Sequence, residues 1–142
     1  MAIDDHSRVT YAELLDDEKA ATASGFLRRA VAWFAERDVT IERLLTDNGS
    51  AYVSYEFGAA CCAGIRHKRT RPYTPRTNGK AERVIPEPVA RMGLSLHLSS
   101  AERGRLLPSY LHFYNHHRAH SALNYYPPVS RLPRNNVLQL HN

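Results

Sequence analysis

A chain of 142 residues is long enough for one domain of ordinary size and too short for two. With 43% hydrophobic and 23% charged residues, 7 Gly and 8 Pro, its composition is globular, which excludes the collagen-like and low-complexity classes. The net charge of +5 hides an uneven distribution: residues 1–63 carry −5, residues 64–91 carry +6 and residues 92–142 carry +4.

A concentrated basic stretch points to a polyanion, of which nucleic acid is the commonest, although a solvated positive face gives the same pattern. No apolar run approaches the roughly 18 residues of a membrane span. The opening Met1-Ala2-Ile3-Asp4-Asp5-His6 lacks the basic and then apolar pattern of a secretory signal. Cys61 and Cys62 are adjacent, which leaves no disulfide framework and no zinc ribbon. A reduced, cytoplasmic location is the expectation.

In chain order, Val9 to Leu15 carries Val, Thr and Tyr in weak alternation and suits a strand. From Ala20 to Arg37, Ala23, Phe26, Leu27, Ala30, Val31 and Phe34 recur at three- and four-residue steps, one face of an amphipathic helix. Thr40 to Thr46 reads as a short buried strand that Asp47-Asn48-Gly49 stops with turn chemistry. Tyr52 to Cys62 reads as a short helix with Gly64 at its C-cap, and Ile65 to Thr70 as a strand. Arg71 to Gly79 is a loop, after which Asn78 caps a helix starting near Lys80. Ser99 or Ser100 caps another helix that runs to about His117, and the chain from Ala119 onward reads as an irregular tail. Strand, helix, strand, helix, strand over residues 9–70 is an α/β layer pattern.

Two carboxylates stand out. Asp47 ends an apolar strand, where open α/β sheets present functional groups, although Asp-Asn-Gly is also a common turn. Glu82 falls in the first turn of a helix between Lys80 and Arg83, where it suits the helix dipole. Converging, the two would hold a hard divalent cation such as magnesium, which favours carboxylate oxygens and keeps positions open for water and phosphate. The basic stretch between them would face a nucleic-acid backbone. His112, His116, His117 and His120 include an i, i+4 pair on one helix face, but no cysteine or carboxylate lies near them in sequence, which weighs against zinc.

Four stretches carry a resemblance: Ala2-Ile3-Asp4-Asp5-His6-Ser7-Arg8; Leu45-Thr46-Asp47-Asn48-Gly49-Ser50-Ala51-Tyr52; Pro75-Arg76-Thr77-Asn78-Gly79-Lys80-Ala81-Glu82-Arg83; and Tyr114 to Leu123 with Pro127-Pro128. Over nearly its whole length the chain resembles the catalytic core of retroviral-integrase-type insertion-sequence transposases, which have a ribonuclease-H-like fold. The resemblance implies that Asp47 and Glu82 are the second and third acids of an Asp-Asp-Glu triad that binds Mg2+ or Mn2+. It implies DNA integration and transposition: a metal-activated water cuts a DNA end, and the freed 3′-hydroxyl attacks target DNA. Transposon ends and target DNA are the implied partners, within a homo-oligomer and away from membranes. Lys68, Arg69, Arg71, Lys80 and Arg83 are the implied phosphate contacts. A catalytically dead DNA-binding remnant and a nuclease of the same fold are the alternatives.

Departures from the family pattern set further expectations. The chain begins inside the family's second strand, so the first strand and its aspartate are expected to be missing, with Asp4 and Asp5 belonging to the second strand. The fold class expected is therefore an incomplete α/β ribonuclease-H-like core over residues 1–123, its later part helical, followed by an irregular tail over 124–142. Catalysis by this chain alone is expected to be absent or weak, and its unpaired strands are expected to favour self-association. Pro86, Pro88 and Gly93 are expected to kink or stop the helix bearing Glu82 within two turns, near Ile85 to Val89.

Overall fold

Residues 1–61, 64–70 and 99–132 are described by the structure, a computed structural model. The amphipathic stretch forms helix α1 (Ala20–Ala35), which buries Ser24, Leu27, Ala30 and Phe34. Ser24 is compatible with that face because its hydroxyl donates to the Ala20 carbonyl at 2.7 Å. After α1 come strand β3 (Arg43–Thr46), helices α2 (Ser50–Val53) and α3 (Tyr55–Cys61), and strand β4 (Arg66–Arg69). Leu27, Phe57 and Cys61 form a core cluster, joined by Ala23, Val31, Leu44, Tyr52 and Ala60. Gly64 has φ +92°, a left-handed conformation that costs glycine nothing, and the Ile65 N–H reaches back to the Cys61 carbonyl at 3.1 Å.

β3 and β4 pair in parallel, from Arg43 opposite Arg66 to Thr46 opposite Arg69. At the N-terminus, β1 (Ala2–Ile3) pairs antiparallel with β2 (Thr10–Tyr11). Among the described residues the strands therefore make two separate two-stranded sheets.

Two strands are shorter than the sequence suggests. The strand expected over Val9 to Leu15 is reduced to Thr10–Tyr11. Tyr11 packs on Phe26 and Trp33 of α1, with ring centroids 5.6 and 5.3 Å away, and Glu13 turns toward Arg29. Leu14 and Leu15 are left exposed. The strand expected to be buried over Thr40 to Thr46 is Arg43–Thr46 and only half buried: Leu44 and Thr46 face the core, whereas Arg43 and Leu45 face outward.

Arg29 clasps the Glu13 carboxylate through Nε at 2.8 Å and Nη2 at 2.6 Å, and the Tyr11 hydroxyl donates to the same group. The Arg29 bonds hold the Glu13 pKa below the ordinary value of 4.5. A depressed folded-state pKa contributes stability above about pH 4.5 that is lost as the pH falls through the lowered value. Glu13→Gln should therefore flatten the acid limb of a stability–pH profile and leave the limb above pH 7 parallel to the wild type. Thermal melts across pH 2–8 measure both.

The C-terminal part is built on helix α4 (Ser100–His116). Its start is a reciprocal capping box: Ser99 Oγ accepts from the Glu102 N–H, and the Glu102 carboxylate accepts from the Ser99 N–H at 2.8 Å. The helix runs through Pro108, which lacks one backbone donor. Tyr110 and Tyr114 form a second core cluster with Met1, Ile3, Leu107 and Leu111. Burial pushes the Tyr110 phenol up to about 12. Asn115 locks α4 to the hairpin. Its Oδ1 accepts from the Thr10 N–H, and its Nδ2 donates to the Thr10 carbonyl, both at 2.8 Å. The segment read as an irregular tail folds back in two 3-10 turns, Ser121–Leu123 and Pro128–Arg131, burying Leu123 and Pro128. The helix break expected over Pro86 to Leu98 lies outside the described residues.

Candidate active site

Asp47 directly follows β3, where pairing with β4 holds the chain end in register. Its Oδ1 accepts the Gly49 N–H at 2.8 Å. A Cβ at position 49 would stand 3.0 Å from that same oxygen, a tight contact that would push the carboxylate by a few tenths of an ångström. Asp47 is exposed, and Oδ2 has no hydrogen-bond or ion-pair partner among the described residues.

Two braces run from the Asp47 turn to β4. The Asn48 amide donates to the Thr70 carbonyl at 2.9 Å. The Thr46 hydroxyl donates its only proton to the Asp47 carbonyl at 3.0 Å. The His67 Nε2 contact to Thr46 Oγ1, at 2.8 Å, must then be an N–H donated to the hydroxyl oxygen, which fixes the imidazole tautomer. His67 rests on Phe57, with ring centroids 5.3 Å apart. Burial, and then the charge of Arg69, lower the His67 pKa. Burial, and then the charge of Asp47, raise the Tyr52 pKa. The carboxylate thus projects from a backbone tied to the neighbouring strand and, through His67, to the core.

Of the residues singled out in the sequence, Asp47, Lys68 and Arg69 are described, whereas Glu82, Arg71, Lys80 and Arg83 lie outside the described residues. Lys68 and Arg69 part company. Strand side chains alternate, so Arg69 shares the face of its register partner Thr46, the residue before Asp47. Lys68 lies on the opposite face with Leu45, Arg43 and Arg66. Asp4 and Asp5 serve their own turn. Asp4 Oδ2 accepts from the Ser7 N–H at 2.8 Å and from the Ser7 hydroxyl at 2.5 Å, and Asp5 pairs with Arg8 at 3.1 Å. Sequence reasoning missed Thr46 and His67; the alternation that places both on the core-facing side of their strands was the available signal.

The chain is similar to known proteins. A family model described as integrase core domain matches residues 1–75, and a second with the same description matches residues 63–128. The retrovirus-related Pol polyprotein from transposon TNT 1-94 of Nicotiana tabacum is 51% identical over 45 residues, 31% of this chain and 3% of that protein. The uncharacterized protein K02A2.6 of Caenorhabditis elegans is 33% identical over 84 residues, 58% of this chain and 6% of that one. The chain thus spans a small fraction of the curated relatives it matches. A chain of the simian T-cell lymphotropic virus intasome, solved in complex with PP2A regulatory subunit B56 gamma, superposes with TM-score 0.73 at 25% identity, covering 93% of this chain and 47% of that one. The catalytic core domain of BIV integrase superposes with TM-score 0.65 at 19% identity, covering 90% and 80%. The fold class is accordingly the α/β ribonuclease-H-like integrase core, incomplete in the described residues. Its first family model alone spanning more than half of its length, the chain belongs to the integrase core domain family.

Proposed function

We propose that this chain is the core of a transposase that cuts and joins DNA with a divalent cation, Mg2+ or Mn2+, held by Asp47 and Glu82 as acids of an Asp-Asp-Glu set. The observation that carries the reading is the exposed Asp47 carboxylate, braced through its backbone and with Oδ2 unpartnered among the described residues. An exposed carboxylate oxygen fits a hard cation that retains water and phosphate ligands. Bound there, such a cation would activate a water or a 3′-hydroxyl and offset charge on the phosphodiester.

The chain's own residues do the rest. Thr46, His67 and Asn48 hold the Asp47 backbone still. Arg69, the register partner of the residue before Asp47, is a described cation for a phosphate at this strand end, and Arg71, Lys80 and Arg83 extend the basic track in sequence. Lys68 would meet phosphate on the other face of the sheet. The partners are transposon ends and target DNA, and the working unit is a homo-oligomer. No helix among the described residues is long and apolar enough to cross a membrane. A cytoplasmic location is part of the proposal.

A strand-transfer assay tests it, with labelled duplex oligonucleotides, Mg2+ or Mn2+, the wild type and Asp47→Asn. At most weak metal-dependent product, which Asp47→Asn abolishes, is the expected result. Product that survives Asp47→Asn would refute the assignment. Salt-dependent DNA binding without product under any metal would instead assign a DNA-binding remnant.

A further inference from the structure

α4 ends in three imidazoles packed on one another, outside the site described above. His112 stacks on His116 with ring centroids 4.7 Å apart and planes 24° apart. It meets His117 at 5.3 Å with planes 61° apart. His112 Nε2 and His117 Nε2 lie 3.4 Å from each other.

That distance is long for an N–H···N hydrogen bond, where N–H donors prefer about 2.9–3.0 Å. It matches a different arrangement. Imidazole nitrogens bind zinc at about 2.0–2.1 Å, and tetrahedral angles then set two ligand nitrogens about 3.3–3.4 Å apart. The pair is already spaced as two corners of such a site.

The helix explains which pair converges. His112 and His116, at i and i+4, share a face but stack, so their rings lie side by side instead of aiming at one point. His117 is the C-cap, with φ −127° and ψ −25°, outside helical geometry. Leaving the helix swings its ring back toward His112, giving an i, i+5 pair that helical spacing does not suggest. All three histidines are exposed, so a cation reaches them without unfolding. The last turn of a helix also favours positive charge. Among the described residues no group of three His, Cys, Asp or Glu could hold a metal ion, so the chain supplies two ligands and water the remainder.

We propose that His112 and His117 form a two-imidazole chelate for a divalent transition metal of the zinc class, with His116 stacked on His112 as a support and not a ligand. Filling it clips the last turn of α4 through its cap residue.

The test is a Zn2+ titration of the full chain without a histidine tag, read by calorimetry or by competition with a zinc indicator. His112→Ala and His117→Ala should each weaken the tight phase roughly 10²-fold, because each removes the chelate. His116→Ala should change it only a few-fold. Zn2+ should also slow hydrogen exchange of the amides of residues 113–118 in the wild type. A wild-type affinity retained by His117→Ala would overturn the proposal. So would a loss in His116→Ala equal to that in His117→Ala. If a variant loses its helical circular dichroism, the imidazole 15N shifts of the wild type decide. Zn2+-induced shifts at His112 and His117 support the chelate, and shifts confined to other histidines overturn it.

Discussion

Asn115→Ala is expected to lower the unfolding free energy by roughly 2–6 kcal/mol, because two buried backbone groups would each lose a partner worth about 1–3 kcal/mol. The Asn115 amide pairs with the Thr10 N–H and carbonyl as a neighbouring strand would, and both bonds are buried. Alanine satisfies neither group, and the site, enclosed by α4 and the hairpin, gives water little access. Against a total of about 5–15 kcal/mol for an ordinary domain, such a loss is large. Asn115→Asp makes a sharper version. It keeps the acceptor for the Thr10 N–H but sets a carboxylate oxygen against the Thr10 carbonyl. It should be most damaging at neutral pH and partly recover in acid, where a protonated carboxyl again donates. Urea unfolding of the three proteins at pH 7 and pH 4 measures this. A change below about 0.5 kcal/mol for Asn115→Ala, the range of an ordinary surface substitution, would mean that α4 does not depend on this lock.

Phe57→Ala is the second substitution with a large expected effect, about 3–5 kcal/mol from lost burial and the cavity left behind. Phe57 is 2% exposed, belongs to the Leu27 and Cys61 cluster, and meets Tyr52 edge-on at 5.0 Å. It is also the platform beneath His67. Its loss should therefore reach the candidate site, releasing the imidazole that donates to Thr46. The expected signature is a lowered denaturation midpoint together with faster hydrogen exchange at Thr46 and Asp47. A destabilised variant whose exchange at those two amides is unchanged would separate the core from the site.

These residues also show what the sequence makes legible. α1 announces itself because Leu27, Ala30 and Phe34 recur at helical spacing, and the structure buries all three. Ser99 and Glu102, three residues apart, announce the start of α4, and Gly64 the turn out of α3. Asp47 is readable as a carboxylate at a strand end because a turn tripeptide follows four strand residues. The rest depends on contacts that no local pattern encodes. Asn115 finds Thr10 across 105 residues. His67 finds Thr46 across 21, by the register of two parallel strands. Leu45 reads as core by its hydrophobicity, yet 51% of it is exposed, because alternation puts it opposite Leu44, which faces α1 and α3. The pairing of His112 with His117 depends on the cap residue leaving helical geometry, which a count of i, i+4 spacings misses.

The central claim, that Asp47 and Glu82 hold the catalytic cation, is tested most directly by Mn2+ binding. The titration follows water-proton relaxation on the wild type, Asp47→Asn and Glu82→Gln, with circular dichroism as the control for fold. The account predicts saturable Mn2+ binding in the wild type that either substitution weakens roughly tenfold or more. Asp47→Asn that remains folded and binds Mn2+ as tightly as the wild type would contradict it.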